Sequence, residues 1–236
     1  METVESYAIR SVDRSEVLRY LGYAGQTLSD ELGARIDAGM ARCLEVGRPR
    51  GCVRVFEVAG HEVVDGVPVL RLADCALELR GHSIAAHLDG AVAVGVLAVT
   101  AGLGVDAELR RLSLTDPVAQ VVVDAAGSAL VERAADAAEA RVVAAAVSRG
   151  LFCGSRFSPG YGDLPLETQP TLLAALDAQR RLGITLSSDL LMTPTKSVTA
   201  VVGLFEEPRG VARMSCADCP CRDFCLLVRA GRTCGR

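Results

Sequence analysis

The chain has 236 residues, 50% hydrophobic and 23% charged, a balance that supports one substantial globular domain or two small ones. A formal net charge of -4 leaves no basic footprint for nucleic acid and no polybasic stretch for a membrane surface. Aromatics make up only 4% and Trp is absent, which excludes rows of stacking platforms for bases and predicts a core of Val, Leu and Ala.

The first residues, METVESYAIRSVDRSEVLRYLGY, show no charged-then-apolar leader, so a cytoplasmic location is expected. Ser15 is placed to cap a helix running from Glu16 toward Tyr20, with Gly22 to stop it. A second helix fits residues 29–46, with Ser29 as its cap and Gly47 just past its end. Short β-like runs come next at 52–58, 67–72 and 76–79, and Asp65-Gly66 is a hairpin signal between two of them.

Residues 83–88 form a short predicted helix closed by Asp89-Gly90, and a strand over 91–100 comes after it. The apolar run 91–104 is too short for a bilayer, which takes about 20 residues, and reads as a buried strand. Gly102 and Gly104 lack the third glycine of a dinucleotide loop and read as a turn. A helical stretch covers 106–112. Asp116-Pro117, a cap with proline at the first helical position, opens a long Ala-rich helix toward Ser148. Residues 152–162 look like a Gly/Pro/Ser loop, 170–182 like one helix closed by Gly183, and 197–204 like a strand. The expected fold is α+β: a single mixed domain with an antiparallel sheet and long helices over residues 1–205, plus a Cys-rich C-terminal appendage over 206–236.

The segment Arg156-Phe157-Ser158-Pro159-Gly160-Tyr161 has the residue types that suit an amino-acid-like ligand. A guanidinium grips a carboxylate through two parallel hydrogen bonds, glycine lets backbone come close, and tyrosine offers a flat apolar face with a polar tip. These six residues alone fit a surface turn with an incidental Arg as well. The order of the segments downstream adds weight: residues 172–181 as a helix, then Gly183-Ile184-Thr185-Leu186-Ser187, Met192-Thr193-Pro194 and Ser197-Val198-Thr199.

This succession resembles the activation domain of cobalamin-dependent methionine synthase, which carries R-x-x-P-G-Y, a helix, G-x-x-L-T/S, M-x-P and an S-V-S/T strand. The likeness covers residues 151–204. Val17-Leu18-Arg19-Tyr20-Leu21-Gly22-Tyr23 and the run 97–104 are similar to the short, free-standing members of that family. The resemblance implies an S-adenosylmethionine site with Arg156, Gly160 and Tyr161 as contacts, Phe157 and Ser158 offering backbone from the same loop, and Glu132 on the preceding helix. From its residues alone Glu132 is equally a solvated helix position. The resemblance also implies a role: S-adenosylmethionine-dependent reductive remethylation of cobalamin in a cobalamin-dependent methionine synthase, with an electron donor such as a flavodoxin or ferredoxin. The chain lacks the D-x-H-x-x-G motif of corrinoid-binding folds, so cobalamin is expected on a partner protein. Two features depart from the family: residues 201–214 lack its Tyr pair, with Phe205 the only aromatic there, and an acidic ligand near the N-terminus has no evident match.

Five of the nine cysteines fall within the last 21 residues. Cys216, Cys219, Cys221 and Cys225 lie close enough to converge on one tetrahedral metal, either Zn or an iron–sulfur cluster, with Cys234 to spare. A disordered thiol tail or oxidised pairs are the other readings. The alternative function is therefore a metal-binding interaction or regulatory protein that kept the fold without the chemistry. His82 and His87, five apart, suit structural or exposed positions better than a shared site, and Cys43, Cys52, Cys75 and Cys153 suit small buried hydrophobes.

Overall fold

Two strands that are apolar on both faces set the architecture. β5 (Ala93–Thr100) and β9 (Ser197–Phe205) pair antiparallel, from Ala93 opposite Leu204 to Thr100 opposite Ser197. Successive side chains on a strand point to opposite faces. Ala93, Leu97, Val99, Ala200, Val202 and Leu204 therefore enter one hydrophobic core. Val94, Val96, Ala98, Val201 and Phe205 enter a second core on the other face. This is a computed structural model, and it describes residues 4–23, 25–209 and Arg222.

The sheet extends outward from this pair. β2 (Arg50–Val64) lies beside β5 along its first half and beside β3 (Val67–Leu72) along its second. β4 (Glu78–Arg80) closes one edge, β6 (Phe152–Phe157) lies on the far side of β9, and β1 (Glu5–Ser6) joins β2. The order is β4-β3-β2-β5-β9-β6, antiparallel throughout; β7 (Thr185–Leu186) and β8 (Met192–Thr193) make a separate ribbon. The first core is covered by α1 (Arg14–Tyr20), α2 (Asp30–Val46), α4 (Leu103–Thr115) and α5 (Pro117–Val147). The second is covered by α3 (His82–His87), α6 (Gln169–Ala175) and α7 (Ala178–Leu182).

α5 is the central support. Its 31 residues span about 46 Å at the helical rise. Asp116 caps it by accepting from the Ala119 N–H at 3.1 Å, and Pro117 occupies the first turn, where a missing N–H costs nothing. Buried residues lie all around it because the sheet packs on one side and α1, α2 and α4 on the other. The sheet offers it Gly95, where an added Cβ would lie 2.4 Å from the Val142 side chain.

Most expected elements are present: the Ser29 cap and Gly47 end of α2, the Asp65-Gly66 turn with positive φ at both residues, β3, β5, β9 and the Asp116-Pro117 start. Several boundaries differ. Asp13, not Ser15, caps α1, because its carboxylate accepts the Ser15 N–H at 2.8 Å. β2 is longer than its apolar run, since residues 58–64 pair with β3 where little core lies over them. The third predicted strand shifts to Glu78–Arg80, and α4 starts at Leu103 after Gly102, which turns with φ +88°. The segment expected as a loop from 152 begins instead as β6, held by β9. The single helix expected over 170–182 is two, because Asp177 takes the left-handed conformation between them. Cys43 and Cys52 are buried as expected, and Cys75 and Cys153 are partly so.

Gly95→Ala should destabilise the protein by about 1–3 kcal/mol, because Val142 is β-branched and has little rotamer freedom in a helix. Urea denaturation measures this, and adding Val142→Ala should recover part of the loss. An unchanged midpoint for Gly95→Ala would show that α5 does not bear on the sheet at this point.

Candidate ligand-binding site

The local geometry begins with an irregularity in β6. Cys153 faces Leu204 and Arg156 faces Val202, so three steps along β6 match two along β9. Such a bulge re-aims side chains next to it. Cys153 packs against the first core, and Arg156, which regular alternation would send to the opposite face, is also directed toward α5. Phe157 then points to the second core.

On α5, Arg156 meets three carboxylates. Its Nη2 lies 3.0 Å from Asp136 Oδ1 and 3.4 Å from Glu132 Oε2, and its Nε lies 3.4 Å from Glu139 Oε2. Residues 132, 136 and 139 have the i, i+4, i+7 spacing of one helix face. The Arg156 side chain is 22% exposed, against 57% for Asp136 and 27% for Glu139. Its Nη1 is buried with no hydrogen-bond partner. Burial raises the Glu139 carboxyl above its ordinary pKa; Arg156 opposes the rise and Asp136 adds to it.

Beyond β6 the chain folds back on itself. The Tyr161 N–H donates to Ser158 O at 3.1 Å, Gly160 N–H to Leu164 O at 2.9 Å, and Leu164 N–H to Tyr161 O at 3.1 Å. Gly160 has φ +88°, a conformation that favours glycine. Pro159 is buried at the base of the turn, while Tyr161 is 57% exposed. Contacts from Asp163 in this turn and from Ser155 and Phe157 in β6 tie the region to α3. The Asp163 carboxylate accepts the N–H groups of His82 at 2.6 Å and Ser83 at 2.8 Å. His87 Nε2 lies 2.8 Å from Ser155 O, and its ring lies 5.0 Å from that of Phe157. Desolvation pushes the Asp163 pKa up, but the Ser83 and His82 amides outweigh it and hold the carboxyl below its usual value.

Of the expected residues, the structure brings Arg156 and Glu132 together and sets Ser158, Gly160 and Tyr161 on the turn after β6. Phe157 commits its ring to the second core, leaving its backbone to the loop. Phe205 does not stand in for the family's Tyr pair: it is 3% exposed, in core packing against Gly154 and Gly203. Asp136 and Glu139 were not anticipated from the sequence, although their helical spacing from Glu132 was the signal for them. Cys216, Cys219, Cys221, Cys225 and Cys234 lie outside the described residues, as do nearly all of residues 206–236, expected from the sequence to form an appendage. Among the described residues there is no cluster of metal-ligating side chains and no helix long and apolar enough to cross a membrane.

Residues 83–212 match the family described as vitamin B12 dependent methionine synthase, activation domain. The chain belongs to this family. The matched segment holds the whole Arg156 cluster and the loop after it. The activation-domain fold is also seen in a crystal structure described as the MetH reactivation domain bound to AdoHcy. That structure shares 18% identity at a TM-score of 0.64, with 99% of this chain and 86% of the other covered. Comparison with curated protein sequences returns no match.

Asp163→Ala should release the turn from α3. Hydrogen exchange at His82 and Ser83 should quicken, at a cost of about 0.5–2 kcal/mol. Because the folded carboxyl titrates below its ordinary pKa of 3.8, the tie contributes above that pH and weakens as pH falls through the lower folded value. Equal exchange in wild type and variant at neutral pH would show that the tie does not hold the loop.

Proposed function

We propose that this activation-domain protein binds S-adenosylmethionine through Arg156 and serves the reductive remethylation of cobalamin carried by a partner methionine synthase protein. The observation that carries the reading is the Arg156 guanidinium inside the matched family segment, with one buried nitrogen still without an acceptor. A ligand carboxylate supplies that acceptor. Glu132, on the same cluster, offers a carboxylate to a cationic ligand group, and Gly160 lets the turn backbone approach. Ser158 and Phe157 contribute backbone, and the exposed face of Tyr161 covers an apolar part of the ligand. The AdoHcy named for the similar crystal structure has the same adenosyl and amino-acid parts, which supports this ligand class.

This chain's part is to hold and orient the methyl donor, and the reactive chemistry belongs to the cofactors. When bound to its carrier, cobalamin would supply a cobalt able, once reduced by one electron from a flavodoxin- or ferredoxin-type donor, to accept the methyl group, with S-adenosylhomocysteine as the leaving group. The missing D-x-H-x-x-G motif supports placing that cofactor on the partner.

Calorimetric titration with S-adenosylmethionine tests the reading. Wild type should bind, and Arg156→Ala should lose about 1.5–3 kcal/mol, or roughly tenfold or more in affinity. Equal affinity for both would remove Arg156 from the site.

The cysteine spacing at 216, 219, 221 and 225 supports a second element, a metal clip or cluster in the appendage. Elemental analysis of protein purified without oxygen should find Zn or iron with matching sulfide near one site per chain. Neither metal in repeated preparations would leave a thiol-rich tail.

A further inference from the structure

Arg156 poses a problem for the ligand reading on which this inference rests. A carboxylate ligand is gripped best by two parallel N–H groups, and the Nε and Nη2 edge of the guanidinium is already turned to α5. The Nη1 and Nη2 edge is the other fork. Nη1 has no acceptor, but Nη2 is shared between Asp136 and Glu132. A ligand carboxylate can complete that fork only if one of these acceptors yields.

The three carboxylates differ in what yielding costs. Glu139 is 27% exposed and Glu132 36%, so both are partly withdrawn from water. Asp136 is 57% exposed and makes the shortest of the three contacts, 3.0 Å. A carboxylate in that position exchanges its ion pair for water at small cost. Asp136 sits one helical turn from both neighbours, so its departure leaves Glu132 and Glu139 to keep the guanidinium in place.

We propose that Asp136 is a displaceable counter-ion for Arg156. It occupies Nη2 while the site is empty; when the carboxylate of the incoming ligand takes its place, the guanidinium shifts so that Nη1, buried in the empty site, becomes the second donor. Glu139 and Glu132 are the fixed members that keep the arginine aimed. Asp136 is thus a positioning residue that competes with the ligand.

The test is a set of titrations on the full chain. Asp136→Asn should bind S-adenosylmethionine about two- to fivefold more tightly than wild type, the range an exposed ion pair converts to. Gain of affinity is a readout that structural damage does not produce. Decarboxylated S-adenosylmethionine should gain nothing from the same substitution, since it has no carboxylate to compete. Asp124→Asn, which removes an equal charge from the same helix where it pairs with Lys196 at 2.8 Å, should leave affinity unchanged. If Asp136→Asn binds equally or more weakly while Arg156→Ala loses binding, displacement is wrong and the arginine site stands. Equal tightening by Asp124→Asn, or for the decarboxylated ligand, would reduce the effect to general electrostatics and overturn it. A wild-type protein that binds no S-adenosylmethionine overturns the ligand reading itself.

Discussion

A long helix can lie flat on a sheet only where the sheet offers it room, and here that room is one missing side chain. Gly95 stands in the middle of β5 under Val142 of α5. The approach it permits lets the Ala-rich face of α5 bury itself against β5, β2 and β9 while α1, α2 and α4 close over its other side. Interiors pack to near-crystalline density, so this spacing propagates. It fixes how far the carboxylates of α5 stand from the edge strand β6.

The bulge in β6 is the complementary device. Without the extra residue between Cys153 and Arg156, pleat alternation would turn the arginine away from α5, toward the face that holds α3, α6 and α7. The site is therefore a product of two placements: a helix held close by a glycine, and a strand twisted at the point where it passes that helix. Neither Glu132 nor Arg156 is itself in an unusual backbone conformation.

What could be read from the sequence was what local chemistry decides. Ser29, Asp116-Pro117 and Asp65-Gly66 mark element ends by hydrogen bonding and backbone preference, and each stands where expected. β5 announced itself as a continuous apolar run and β9 as a β-branched run, because both their faces are covered. β6 was hidden because Gly154 and Ser155 break its pattern, and its strand character comes from β9, some 45 residues away along the chain. The helix break at Asp177 was hidden too, since an aspartate in left-handed conformation leaves no compositional mark. Within the site, the loop was legible as a motif and Glu132 through family likeness. Asp136 and Glu139 became visible only once Arg156 had a direction.

The turn carrying Gly160 and Tyr161 is bound to α3 on both sides, through Ser155 before it and Asp163 after it. A segment fastened this way has already surrendered much of its conformational entropy. Molecules that dock against it need not wait for it to fold, nor spend their interaction energy ordering it. That ordering comes from an anchor on the far side of the sheet from the helix that supplies the charges.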